Sequence, residues 1–397
     1  MRRINLPDAE NRGHIHRTPC GECMYIHERK EWPEFRWNQS ALTSRLAAVR
    51  HAQGRLLGRM ETLGFPLREE ATLQTLTQDV LKTSEIEGEK LDAGQVRSSL
   101  ARRMGLDIGA LPAIDRNAEG IVEVMLDATR QHEEPLAEER LFGWHAALFP
   151  TGRTGMRRIT VGGWRTEKSG PMQVVSGPIG REQVHYKAPE ATRLKKEMAR
   201  FLKWCNTAPT VDPVIQAALA HFWFVTIHPF EDGNGRIARA IADLMLARSE
   251  KTAQRFYSMS AQIQRERKAY YDVLERCQKG TLDITEWIEW FLNCLQHAIA
   301  ASEITLESVL VKAGFWKAHA DEAFNDRQRK VINRLLDGFE GKLTSSKWAK
   351  LAKCSQDTAL RDISDLVSRK ILVKDQAGGR STGYSLCLPQ PETKAKN

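Results

Sequence analysis

Along most of this chain apolar residues recur every three or four positions, the spacing of one face of an α-helix. In LREEATLQTLTQDVLKTSEIEGEKL, Leu73, Leu76, Val80 and Leu81 share a face and Gly88 supplies a stop. DPVIQAALAHFWFVTIHPF opens with Asp212 as N-cap and Pro213 at the first helical position, then runs almost without polar interruption. Apolar surface on every side predicts a buried helix. Pro229 predicts its end near His228, held extended, because a residue before proline is pushed out of the α region. Periodicity resumes in GRIARAIADLMLARSE through Ile237, Ile241, Leu244 and Met245, and further helices are predicted over 190–206, 262–278 and 284–304.

Two regions break the helical period. RITVGGWRTEKSGPMQVVSGP, residues 158–178, mixes short β-prone pieces with Gly and Pro, which predicts a hairpin set among helices. After about Lys317, two or three short helices precede ILVKDQAGGRSTGYSLCL, two strand-like pieces around a Gly-rich turn. That order outlines a winged helix-turn-helix. The fold class expected is mainly α.

The 397 residues, 41% hydrophobic and 27% charged, describe a globular chain with room for about two or three cores. No uncharged apolar run reaches the roughly 18 residues that span a bilayer, and MRRINLPDAENRGHIHRTPCGEC lacks the apolar centre of a signal peptide. With seven cysteines scattered from Cys20 to Cys387, a reducing, cytoplasmic setting is expected and no membrane partner. The net charge of +9 is uneven: residues 321–397 hold 15 Lys and Arg against 10 Asp and Glu. A basic end points to nucleic acid, or to solvated lysines on a small helical domain.

Candidate chemistry concentrates in HPFEDGNGRIAR, His228 to Arg239. Gly233, Asn234 and Gly235 sit where a loop feeds a helix, so first-turn N–H groups without helical acceptors face outward at the positive end of the macrodipole. That is an anion cradle. Arg236 and Arg239, three apart, add planar donors for a polyphosphate. Asp232 would repel phosphate unless a cation lay between them, and one carboxylate plus phosphates is how Mg²⁺ prefers to be held. His228 could take a proton from a hydroxyl attacking phosphorus. The lysine and hydroxyl of a Walker P-loop are missing.

Those twelve residues match every fixed position of the HPFx[DE]GNGRxxR motif, and the chain resembles the Fic (filamentation induced by cAMP) family. The resemblance implies a Fic helical core and an enzyme moving AMP from ATP to a protein Ser, Thr or Tyr hydroxyl, itself included. It implies His228 as general base and Asp232 as Mg²⁺ ligand. Asn234 with the Gly233–Gly235 backbone would cradle the α-phosphate, Arg236 and Arg239 would contact the β- and γ-phosphates, and Phe230 would anchor the loop. The hairpin resembles the family's flap, which clamps the target by strand addition; it is placed over 164–176, with Trp164, Arg165, Thr166, Val174 and Val175.

KTSEIEGEKL gathers Glu85, Glu87 and Glu89 at a helix end, where carboxylates are unfavourable unless a cation answers them. TSEIEG also fits the family's [ST]xxxE[GN] inhibitory motif at Thr83, Glu87 and Gly88. Glu87 would then pair with Arg239 and force ATP into a bent pose that is not in line for attack. In some relatives that glutamate positions a water that removes AMP, so deAMPylation and other nucleotide donors stay open. The base pocket is sought near Tyr270 and Tyr271.

The resemblance divides the chain into an extension over 1–23, an N-terminal helical domain with the inhibitory helix over 24–110, the catalytic core over 111–310 and the winged helix over 318–390. Chains of the resembled subgroup begin at the residue matching Met24. One Cys-x₂-Cys with His14, His16, Cys20, Cys23 and His27 is too irregular to count as a zinc site. Thr358 to Arg369 is the expected recognition helix, with Arg361, Arg369 and Arg380 as DNA contacts. Asp357, Asp362 and Asp365 oppose phosphate, so protein stands beside DNA as its partner, and a DNA-binding regulator with a nucleotide-sensing core is the third functional reading. Exposed faces of the resembled domain often form homodimers.

Overall fold

The computed structural model describes residues 24–106, 116–178, 181–336, 339, 341–375 and 382–388. His14, His16, Cys20, Cys23, the 1–23 extension and Arg380 lie outside the described residues. The chain is mainly helical and divides into two compact units, residues 1–64 with 72–302, and residues 65–71 with 303–397.

The helices that build the first unit are α1 (Gln39–Glu61), α2 (Phe65–Ile86) from Thr72 onward, α3 (Ala93–Met104), α4 (Arg116–Arg130), α5 (Glu138–Leu148), α6 (Leu194–Cys205), α7 (Pro213–Ile227), α8 (Asn234–Glu250), α9 (Met259–Arg265), α10 (Arg267–Gln278) and the start of α11 (Thr285–Ala318). Two antiparallel pairs join them: β1 (Arg153–Thr154) with β2 (Arg157–Arg158), and β3 (Gln173–Ser176) with β4 (Gln183–Lys187). Helix α7 is the hub. Every residue from Val214 to Ile227 is buried, and the Asp212 carboxylate accepts the Val214 N–H at 2.8 Å, as the apolar run and the Asp-Pro start predict. Helix α8 packs on it through Ile237, Ile241, Leu244 and Met245.

Elsewhere the elements depart from the pattern. The helix predicted over 262–278 is two, α9 and α10, broken at Glu266, whose carboxylate is held by Gln262 at 2.6 Å and His297 at 2.8 Å. The apolar period runs through that break, with Ile263 before it and Tyr270 and Val273 after it all buried, so periodicity cannot show it. Helix α11 runs on to Ala318 because nothing between 304 and 318 stops it.

The hairpin lies further along the chain than the sequence predicts. Trp164, Arg165 and Thr166 belong to no strand; of the expected flap only Gln173–Ser176, which includes Val174 and Val175, forms one, β3. The stretch 158–172 is held by local turns and by side chains as well: Glu231 accepts from Thr160 N–H and Oγ1 and from Ser169 Oγ. β3 finds its partner downstream, in a segment where no alternation was noted.

In the second unit, α12 (Asp326–Leu336), α13 (Ser345–Ala352) and α14 (Gln356–Ser368) precede an antiparallel pair, β5 (Leu372–Lys374) and β6 (Tyr384–Leu386). Phe315, Val331, Ile332, Trp348, Ile363 and Leu366 form its core. Of the expected DNA contacts, Arg361 is exposed, but Arg369 is tied to Glu322 and Asp365 and lies over the Phe324 ring. Asp362 points inward: it is buried and takes both arms of Arg327, so it does not oppose a phosphate.

Candidate active site

The loop between α7 and α8 begins with a departure from expectation. Pro229 does end α7, yet His228 turns left-handed (φ 52°, ψ 59°) rather than extended. Its N–H still bonds Phe224 O at 3.0 Å, the last i→i−4 bond of α7. Histidine is among the non-glycine residues that tolerate the left-handed conformation. Arg165 fixes the turn from the other side: its Nε donates to His228 O at 2.9 Å and its N–H to Pro229 O at 2.9 Å. Arg165 is buried, and that burial pulls its pKa down to about 10. The residue assigned to the flap is therefore a brace beneath the histidine.

His228 is buried, and its Nδ1 lies 3.1 Å from Val225 O. A carbonyl only accepts, so Nδ1 carries the hydrogen and Nε2 of the neutral ring keeps its lone pair. Phe230 is buried completely; its ring stacks on His145 at 4.2 Å and meets Trp164 at 5.0 Å. Burial holds His145 largely neutral, its pKa lowered to about 4. Trp164 thus packs against the anchor and is no part of a strand.

Asn234 has a part beyond the one expected of it. Its side-chain oxygen accepts the Phe230 N–H at 2.9 Å and one amide hydrogen goes to Phe230 O at 2.8 Å, so the side chain also clamps the loop. Gly233 sits at φ +80°, where a β-carbon would also press on the Phe149 ring. Asp232 accepts from Thr154 Oγ1 at 2.7 Å and from Gly233 N–H at 2.6 Å.

The two arginines are both answered by carboxylates. Arg239 is buried; its Nε donates to Thr83 Oγ1 at 2.7 Å and its Nη2 to Thr83 O and Glu87 Oε1, each at 3.0 Å. A β-carbon on Gly235 would collide with Glu87 Oε1, so that carboxylate lies against the first turn of α8, where the macrodipole favours an anion. Gly88, at φ +88°, supplies the left-handed stop: its N–H bonds Glu85 O and the next N–H bonds Ser84 O. Arg236 meets Glu89 at 3.0 Å and lies over the Phe149 ring. The Glu89 contact was not foreseen; the only signal was its place in the acidic cluster after α2.

A cleft with a cavity volume of about 50 Å³ runs from Glu87, Gly235 and His228 to Tyr271, Leu274, Glu275 and His185. Tyr270 and Tyr271, picked out for a base pocket, both line it.

The model of the Fic/DOC family matches residues 135–246, which take in this loop and both arginines. The chain carries a Fic/DOC domain. Residues 25–106, ahead of the Fic domain, match a domain of unknown function, DUF4172. The protein adenylyltransferase Fic of Drosophila melanogaster is 31% identical over 131 residues, 32% of this chain and 25% of its own length; that of Culex quinquefasciatus gives the same figures. The chain spans about a quarter of the length of these curated relatives. Among solved structures, a Fic family protein from Desulfovibrio desulfuricans aligns with a TM-score of 0.48 at 22% identity, covering 86% of this chain and 96% of that one. A Fic domain containing signaling protein from Bacteroides thetaiotaomicron aligns at 0.49 and 19% identity, covering 66% and 97%. No helix among the described residues is long and apolar enough to cross a membrane.

Proposed function

We propose that this chain is a protein adenylyltransferase held inactive by its own Glu87. A target's Ser, Thr or Tyr hydroxyl oxygen attacks the α-phosphorus of ATP; the new O–P bond forms as the bond to the bridging oxygen breaks, pyrophosphate leaves, and AMP stays on the target. His228 Nε2 takes the hydroxyl proton. Arg236 and Arg239 hold the outer phosphates, and the N–H groups of the Gly233–Gly235 turn cradle the α-phosphate. The observation that carries this reading is convergence: His228, the Gly235 backbone and the carboxylate on Arg239 open onto one cleft.

Asp232 fits Mg²⁺ held jointly with phosphate oxygens. Among the described residues no group of three or more His, Cys, Asp and Glu could hold a metal by itself, so the ion would come with the nucleotide, where it neutralises phosphate charge. The carboxylate of Glu87 stands where the γ-phosphate would meet Arg239, which is the brake. A second reading, AMP removal, is favoured by the same carboxylate: Glu87 shares the cleft with His228 and could orient a water towards a phosphoester.

The test is transfer of label from α-phosphate-labelled ATP with Mg²⁺ to protein in a whole-cell lysate. Label should appear with Glu87→Gly and vanish with Glu87→Gly/His228→Ala. Absence of label with Glu87→Gly rejects AMP transfer; loss of label from pre-labelled protein would then support removal, and competition by UTP another donor.

A further inference from the structure

Strands β3 and β4 pair Gln173 with Lys187, Val174 with Tyr186, Val175 with Val184 and Ser176 with Gln183, which leaves His185 without a partner. It is the extra residue of a β-bulge, a device that re-aims a side chain at the expense of the ladder. Its ring spans two elements. Nδ1 lies 2.6 Å from Glu275 Oε2 on α10, and Nε2 lies 2.5 Å from Ser176 Oγ on β3. Glu275 is itself gripped by Lys279 at 2.5 Å. Its partial burial would raise the carboxyl's pKa, but hydrogen bonds from Lys279 and His185 outweigh that and hold it below its ordinary value. A carboxylate only accepts, so His185 donates from Nδ1, while Nε2 shares a hydrogen bond with the Ser176 hydroxyl.

A two-stranded hairpin is marginal in water and must be held by its surroundings. One anchor is Tyr186, buried with its hydroxyl donating to Thr226 O at 2.7 Å. The other is this bulged histidine. Among the described residues β3 has β4 as its one strand partner, and Val174 of β3 lines, with His185 and Glu275, the cleft that holds His228.

Building on the adenylyl-transfer reading, we propose that the Ser176–His185–Glu275 clasp sets the position of β3 over His228, and through it the acceptor hydroxyl of a docked target. His185 is a positioning residue for the acceptor. A displacement of about 1 Å at an attacking group costs on the order of 100-fold in rate.

Water, unlike a protein segment, needs no strand to dock. In the Glu87→Gly background, His185→Ala should lower label transfer to protein by about 10- to 100-fold while AMP release into water stays within about twofold. His185→Gln, able to donate to Glu275 and accept from Ser176, should recover most of the loss. If His185→Ala fails to fold, Ser176→Ala removes one arm and is read the same way. Unchanged protein labelling, or labelling and AMP release falling together, overturns the clasp in favour of no role or of nucleotide binding. No label with Glu87→Gly alone overturns the underlying reading and the clasp with it, and shows itself before His185 is touched.

Discussion

Replacing Glu87 by glycine removes the carboxylate from the Fic loop and leaves the rest of its support in place. The contact is well sheltered: the Arg239 side chain is 1% exposed and that of Glu87 19%, with 3.0 Å between nitrogen and oxygen. A charge-assisted hydrogen bond of this kind contributes about 1.5–3 kcal/mol. At about 1.4 kcal/mol per tenfold, freeing Arg239 for phosphate should raise AMP transfer roughly 10- to 150-fold. Arg239 keeps Thr83 Oγ1 and Thr83 O, so it should stay aimed. Without nucleotide, however, a buried guanidinium loses its counter-charge. The apo protein should lose about 1–3 kcal/mol, a Tm lower by about 2–4 °C per kcal/mol, and ATP should restore it. Label transfer and thermal unfolding, each with and without ATP, give both readouts. A variant that binds ATP more tightly, is stabilised by it, and still transfers no more label than the parent would refute the positioning argument.

Glu89→Ala should raise labelling by less than about fivefold alone, since Glu89 is nearly half exposed and such pairs contribute about 0.2–1 kcal/mol; combined with Glu87→Gly it should add to the gain. Phe230→Ala should destabilise the first unit by about 3–5 kcal/mol in denaturant titrations, because its ring is wholly buried against His145 and Trp164. Asp79 on α2 is buried beside Asp243 on α8, and desolvation with that neighbour's charge raises its pKa to about 8. A carboxyl raised in the folded state favours folding fully below its unfolded value, about 3.9, and that contribution is lost as pH rises through about 8. Asp79→Asn, which keeps an acceptor for Ser258 and Ser260, should flatten the fall in Tm between pH 5 and 9. An unchanged slope would place the proton elsewhere.

Much of the Fic site was legible because its signals are local in sequence. The caps and burial of α7, the periodicity of α8, the glycines flanking Asn234 and the acidic cluster after α2 each follow from a few adjacent residues. The pairing of Glu87 with Arg239 was expected only through the resemblance to the family's inhibitory motif, since a carboxylate at a helix C-terminus asks for some cation without naming it. What failed were inferences of conformation from one neighbour. Pro229 disfavours the right-handed helix at His228, but the choice between extended and left-handed goes with where the His228 and Pro229 carbonyls must point to meet Arg165, sixty-three residues away.

By itself, then, the sequence determined the helical scaffold, the loop that can cradle phosphate and the residue types able to do chemistry there, because periodicity, capping and glycine freedom act over a few bonds. Tertiary structure alone decided that Arg165 and Trp164 brace the loop, that the Asn234 side chain holds the Phe230 backbone, that Glu89 reaches Arg236, and that His185 is turned by a bulge onto Glu275. Those contacts join residues far apart in the chain. Which distant groups meet is settled when buried polar atoms must find partners in the packed fold, and no local pattern carries that choice.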